Sequence, residues 1–357
     1  MLVLHFITSL DDGGAQTSLC KLIKHSELKH VVINLSAKGK YSLTLSSYCT
    51  VINLSSTWYN LPFTFAYILF LTLRIKPSVL SSWLYHADTL AFLVSFMMRL
   101  PVVWNVRNNS ISQSKLSTRL LVHVNAGLST HIPFVTFNSL SSRNTHRTLG
   151  YSPKGSTVIY NGFDINDKLP VSPHISTGDL QIGFAARWDP VKNHRKLLKA
   201  FMRFNQLYPH SRLHLAGLGI NTDNKALCDT LSSFSIRNSV ILYDSLDDIR
   251  SFYCKLSLHV LPSLSEAFPN SLFESVLCGT PNIYSCTIDS NITPPGISPF
   301  RPESSVSIYN AIKLFQDLSA DDRHQMLKEQ QAFVKASFPL TRFVSSFESI
   351  FKRISCT

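Results

Sequence analysis

Short apolar runs and helical periodicities alternate along the whole chain. In the first half, "LVLHFIT" (2–8) has the length and composition of a buried strand, whereas "AQTSLCKLIKH" (15–25) sets Leu19, Leu22 and Ile23 on one helical face. "HVVINLS" and "TVINLSS" read as further strands. Two apolar helices follow, "LPFTFAYILFLTLRIKP" and "TLAFLVSFMMRL", and then the strands "VVWNV", "FVTFNS" and "STVIYNG". Strands alternating with helices predict a parallel sheet covered on both faces.

The pattern restarts near residue 180. "LQIGFAAR", "SRLHLAGLG", "VILYD" and "SLHVLPS" are strands, separated by helices in "NHRKLLKAFMRFNQLY", capped by Asn193, "NKALCDTLSSF", and "LDDIRSFYCKL", capped by Ser245. "NSLFESVLCG" is a helix closed by Gly279. The economical architecture is α/β, two doubly wound Rossmann-like domains facing a cleft. The first spans residues 1–165 and the second 166–340, and an amphipathic last helix in 341–357 packs back on the first.

Charge changes this picture. The net charge is +12, and residues 1–160 carry 14 Lys and Arg against four acids, Asp11, Asp12, Glu27 and Asp88, whereas the remainder is nearly balanced. The first half therefore faces something anionic, such as a membrane surface, a phosphorylated acceptor or a nucleic acid. A nucleic-acid binder would interleave bases and aromatics on one exposed face. Here the bases are scattered, and the aromatic stretch Trp58, Tyr59, Phe63, Phe65 and Tyr67 reads as core. Between Pro62 and Arg74 lie only about a dozen apolar residues, short of the ~20 of a membrane span. Both apolar helices therefore read as core, with shallow insertion at a bilayer surface as the alternative for each. "MLVLHFITSL" reads as a buried strand and not a signal peptide. The seven cysteines lack metal-ligand spacing and read as free thiols of a reducing compartment.

Two constellations could do chemistry. In "SEAFPNSLFESVLCGTP", Glu266 follows a strand and Glu274 lies one turn inside the next helix. That helix begins at Asn270 and Ser271, whose end offers backbone N–H groups to an anion. One acid for a sugar and one for a ribose, with phosphates at the helix tip, describes a nucleotide-sugar site; spacing alone leaves Glu274 open as a solvated surface residue. In "IGFAARWDPVKNHRKLL", Arg187 leaves a strand and Lys192 follows five residues later. Two cations at such a turn can neutralise a diphosphate leaving group without a metal. The pairs Asp11–Asp12, Asp247–Asp248 and Asp321–Asp322 lack DxD spacing, so no metal and no cofactor is expected.

Taken in order, these segments resemble the retaining family-4 glycosyltransferases of the GT-B fold. The E-x7-E region matches at Glu266 and Glu274, and Arg187 and Lys192 occupy the positions of the family's diphosphate-binding pair. "SLDDGGAQTSL" is similar to the glycine loop after the first strand, where Gly13 and Gly14 let backbone approach the donor. "LAGLGIN", with Gly217, is similar to the nucleotide-side loop, and "VIYNGFD" to the end of the first domain. "SWLYHADTLAF" and "VVWNVRNNS" look like the subgroup that builds lipopolysaccharide and capsule glycans. That likeness puts His86 and Arg107 on cleft-facing loops for sugar or acceptor contact, although many relatives have a histidine near the Arg107 position. The segment after Pro281 is shorter than is usual in the family.

The resemblance implies a metal-independent, retaining transfer of a hexose or N-acetylhexosamine from a nucleotide-diphosphate sugar. Glu266, Arg187 and Lys192 would be catalytic, and Gly13, Gly14, Gly217, Asn270, Ser271 and Glu274 would bind the donor. The acceptor would be polyprenyl-diphosphate-linked or lipopolysaccharide glycan, reached from the cytoplasm at the anionic inner face of the membrane, with no nucleic acid involved. The alternatives are a basic nucleic-acid-binding protein and an inactive GT-B-like scaffold.

Overall fold

Apolar strands that carry side chains on both faces need cover on both, and two all-parallel sheets provide the framework for it. The computed structural model describes residues 1–11, 13–55, 61–109, 116–152, 154–165, 175 and 178–356. The chain divides into one unit of Met1–Gly162 with Phe338–Thr357, and a second of Phe163–Ser337.

The first unit holds β1 (Leu2–Ile7), β2 (Lys29–Asn34), β3 (Thr50–Asn53), β4 (Val79–Trp83), β5 (Val102–Val106), β6 (Phe134–Phe137) and β7 (Ser156–Val158). They are ordered β3-β2-β1-β4-β5-β6-β7. Residues alternate across the sheet, as the pleat demands. Val3 and Ile7 join α1 (Gly14–His25), α2 (Lys40–Ser46) and the C-terminal helix (Leu340–Ser355) in one core. Leu4 and Phe6 join α3 (Leu61–Ile75), α4 (Tyr85–Met98) and α5 (Leu116–Leu128) in the other. The last helix of this half of the chain is α6 (Leu140–Thr148).

Strand β4 lies between the two apolar helices, where the sequence pattern predicts none. Its two serines break the apolar run, yet both are fully buried. Ser81 Oγ accepts from Asn105 Nδ2 at 3.0 Å and Ser82 Oγ donates to Asp88 at 2.6 Å, so neighbouring side chains satisfy hydroxyls that look like loop residues in sequence. The two apolar helices also depart from expectation. Each buries only one side: Phe63, Tyr67 and Phe70 of α3, and Phe96 and Met97 of α4, are exposed. Trp58 and Tyr59 lie outside the described residues.

The second unit is ordered β10-β9-β8-β11-β12. Its strands are β8 (Gln181–Ala185), β9 (Arg212–Ala216), β10 (Val240–Tyr243), β11 (Leu258–Leu261) and β12 (Asn282–Tyr284). Its helices are α7 (His194–Leu207), α8 (Lys225–Ser233), α9 (Arg250–Tyr253), α10 (Asn270–Leu277), α11 (Ser305–Gln316) and α12 (Ala320–Ser337), so the C-terminal helix is α13. Gly279 ends α10 at φ 84°: its N–H bonds the Val276 carbonyl, and Thr280 N–H bonds that of Ser275, the paired closure that a left-handed glycine permits. Two caps differ from expectation. Asn193 is the N-cap of α7 and its carbonyl accepts from Lys196 N and Leu197 N, but its side chain makes no cap bond. Helix α9 begins only at Arg250, beyond Ser245, where the Asp248 carboxylate accepts from its N–H.

Four buried histidines tie both units to the neutral form. Burial pushes His194 and His259 down to about 4, and His30 likewise despite Glu348, which raises it. His5 is lowered by burial and by His30. Because the folded values lie below those of the unfolded chain, the stability these groups contribute is present above about pH 6.5 and is lost as pH falls toward 4. Unfolding followed by circular dichroism is expected to need progressively less urea across that window, with little change between pH 7 and 8.

Candidate active site

In the second sheet the strand order reverses between β8 and β11, the place where doubly wound sheets open a crevice at the carboxyl ends of their strands. The segments leaving those two strands carry the expected charges. After β8, Asp189 organises the turn: its Oδ1 accepts from Val191 N at 2.9 Å, and its Oδ2 accepts from Arg187 Nε at 3.1 Å and Nη2 at 3.0 Å. Burial raises the Asp189 carboxyl, but the Val191 N–H and the Arg187 guanidinium outweigh it and hold the group below the usual range. The Arg187 side chain stays 60% exposed.

After β11 the chain returns to the same turn. Leu264 N donates to the Val191 carbonyl at 2.8 Å, and Lys192 Nζ meets Glu266 Oε1 at 2.7 Å. Their side chains are only 19% and 10% exposed, so this pair is well shielded. Asn193 adopts the left-handed conformation at φ 61° and aims Nδ2 at the carbonyls of Pro262, at 3.0 Å, and Pro302, at 2.8 Å. Its role is to fasten the Lys192 turn to the end of β11. Behind the turn, His194 packs between Phe184 and Trp188.

Gly217 supports the same turn from the neighbouring strand. It sits at φ 137°, and a Cβ there would collide with the backbone carbonyl of Ala186. Hydrogen bonds from Ala186 N to Ala216 O and from Trp188 N to Leu218 O zip the two loops together. Asn270 and Ser271 open α10, and Glu274 lies half-buried one turn in. Its charge, after burial, adds to the upward shift of Tyr253. No side chain caps α10, but Asn270 N and Leu272 N bond to the carbonyls of Phe268 and Pro269, which narrows the set of N–H groups expected to face an anion.

In the first unit the order reverses between β1 and β4. Gly13 and Gly14 follow β1 at the start of α1, and His86 stands exposed in the first turn of α4, just after β4. Gly13 has φ 172°, which any residue adopts, and a Cβ would meet only the movable amide of Gln16. Arg107 is placed differently from the expected exposed loop position. Although it follows β5, its side chain is not presented on a loop but buried. The guanidinium lies 5.0 Å from the Trp83 ring and 5.4 Å from that of Phe347. Nη1 donates to Asn161 Oδ1 at 3.1 Å and to the Ile159 carbonyl at 3.3 Å. Burial lowers its pKa to about 9, leaving it charged at neutral pH. Through Nη1 and its ring contacts it joins α13 to the end of the first unit.

Sequence reasoning passed over Asp189 and the tethering role of Asn193. An Asp directly before Pro190 was the signal for the former, since that pair favours a capped turn. Among the described residues no group of three or more His, Cys, Asp or Glu side chains is placed to hold a metal ion.

Residues 166–289, which include the Arg187, Lys192, Glu266 and Glu274 positions, match the family described as glycosyl transferases group 1. No curated protein matches the chain. Among solved structures, Anabaena Alr3699/HepE in complex with UDP-glucose is similar at 20% identity and a TM-score of 0.87, with 99% of this chain and 100% of that one covered. Sucrose-phosphate synthase from Thermosynechococcus elongatus follows at 14% identity and a TM-score of 0.79, with 99% of each chain covered. The lipopolysaccharide outer core galactosyltransferase WaaB is similar at 14% identity and a TM-score of 0.72, covering 99% of this chain and 100% of that one. The fold is the two-unit, Rossmann-like GT-B type.

Because the Arg187 turn rests on backbone at Gly217, Gly217→Ala is expected to destabilise the second unit by about 1–3 kcal/mol. Gly178→Ala, where a Cβ meets nothing within 4 Å, should leave the melting temperature unchanged. Differential scanning calorimetry of the two variants checks the contrast.

Proposed function

We propose that this protein is a retaining glycosyltransferase. It moves a hexose or N-acetylhexosamine from a nucleotide-diphosphate sugar to a lipid-linked or lipopolysaccharide glycan during synthesis of a bacterial surface polysaccharide. The observation that carries the reading is the meeting of Lys192 and Glu266 at 2.7 Å, from two different strand ends, where the second sheet reverses. A cation and an acid brought together there suit a ligand that is both a phosphate and a polyol. The match of residues 166–289 to group 1 glycosyl transferases supports the same class. So does the presence of UDP or UDP-glucose in the Anabaena structures.

In this mechanism the Lys192 ammonium, which gives one donor to Glu266, turns another to the diphosphate. The exposed Arg187 guanidinium exchanges Asp189 for phosphate oxygens. Glu266 accepts hydroxyls of the transferred sugar, and Glu274 those of the ribose. As the bond between the anomeric carbon and the phosphate oxygen breaks, its electron pair passes to the diphosphate. The acceptor hydroxyl oxygen bonds the carbon on the same face, and its proton goes to that leaving oxygen. Charge growing on the diphosphate is where fixed cations lower the barrier most. Arg187 and Lys192 supply that charge, so no metal is assigned to the site.

The acceptor side is assigned to the first unit on its excess of bases, and the protein to the cytoplasmic face of the membrane. No described helix is long and apolar enough to cross a bilayer.

The test is release of free nucleotide from a panel of nucleotide sugars, in the presence of a metal chelator. Wild type is expected to turn over one donor class. Lys192→Ala and Glu274→Ala should each lose on the order of 100-fold or more. Equal release by wild type and both variants, or none by any, overturns the assignment.

A further inference from the structure

Three helices on one face of the first sheet leave large apolar side chains in solvent. Phe63, Tyr67 and Phe70 repeat along α3 at three- and four-residue spacing, and Phe63 is 79% exposed. On α4, Leu93, Phe96 and Met97 do the same, with Phe96 77% exposed; on α5, Leu116, Leu120 and Val124 form a third stripe, with Leu116 at 81%. The inner sides of these helices share one core, so the outer stripes lie on a common face. Large apolar side chains exposed in rows on three helices of one sheet face go beyond the singly scattered ones that need no explanation.

The charges on this face have one sign. Arg74 and Lys76 close α3, Arg99 closes α4, and Arg119 lies on α5, all exposed. The one acid between residues 61 and 128 is Asp88, and it is fully buried. A self-complementary dimer through this patch would set these cations against their own copies. An anionic lipid surface meets both features, taking the aromatic and aliphatic side chains at the acyl boundary and the bases among headgroups.

We infer that the outer face of α3, α4 and α5 is the membrane-docking surface of this protein, with anionic phospholipid as its partner. The inference deepens the membrane-bound acceptor of the proposed function and rests on that reading. Phe63, Phe96 and Leu120 enter the interface, and Arg99 and Arg119 hold phosphate headgroups.

The experiment is co-sedimentation with vesicles of phosphatidylcholine alone or mixed with phosphatidylglycerol, at low and high salt, without any sugar donor. Wild type is expected to bind the anionic vesicles, more weakly at high salt. The triple variant Phe63→Ser/Phe96→Ser/Leu120→Ser is expected to bind about tenfold or more weakly at both salts. Arg99→Glu/Arg119→Glu should lose mainly the low-salt binding. Nucleotide release should stay at the wild-type value in the triple variant, because these side chains are mostly exposed and lie in a different unit from Arg187, Lys192, Glu266 and Glu274. The melting temperature should fall little, since Phe96 only stacks on Phe92 at the edge of the core. Absence of vesicle binding by wild type, undiminished binding by the folded triple variant, or a dimer that this variant abolishes would overturn the inference. Vesicle binding that persists while every nucleotide sugar goes unused would instead sink the transferase reading and leave the docking surface standing.

Discussion

The contact between Lys192 and Glu266 is the constraint around which the second unit is arranged. Neither residue belongs to a regular strand or long helix, so nothing local specifies where they point. They meet because Asn193 reaches back to the end of β11 and Leu264 bonds the Lys192 turn through Val191. A mostly shielded ion pair adds little net stability, but removing one partner leaves the other charge stranded. The pair therefore makes better sense as a poised site than as a fold-stabilising bond. Gly217 extends the same logic to β9, since only a residue without a side chain lets that loop lie against the Arg187 turn.

The first unit uses a cation in the opposite way. Arg107 sits between Trp83 and Phe347 and bonds the segment that ends the unit, joining α13 to the sheet. Its planar, delocalised charge can be stacked on rings and buried where an ammonium would be too costly to dehydrate. Arg187 and Arg107 each follow a sheet strand, yet one is solvated and held by a single carboxylate while the other is enclosed. The difference lies in what packs over each strand end, and α13 covers the second.

Of the bases in the first unit, Arg107 has that internal use, while Arg74, Lys76, Arg99 and Arg119 lie along the exposed side of α3, α4 and α5. Apolar periodicity in these helices serves two solvents. One stripe faces the sheet, and among the described residues the other is exposed. A helix with apolar residues on both sides reads as buried from its sequence, and the opposite stripe here is exposed instead.

Much of the architecture was legible in the chain itself. Period-two and period-3.6 patterns revealed most of the strands and the restart of the alternation near residue 180, because those periods follow from backbone geometry alone. The E-x7-E spacing and the Arg187–Lys192 pair were visible for the same local reason: each is set within one strand–turn–helix unit. What sequence could not determine were relations between distant segments. Strand β4 hid behind serines that find partners only when β5 and α4 are in place. The meeting of Lys192 with Glu266, the burial of Arg107 beneath α13, and the choice of which apolar stripe faces the sheet all depend on how separate elements pack. Side-chain environment is a property of the assembled chain, so only the tertiary structure could decide it.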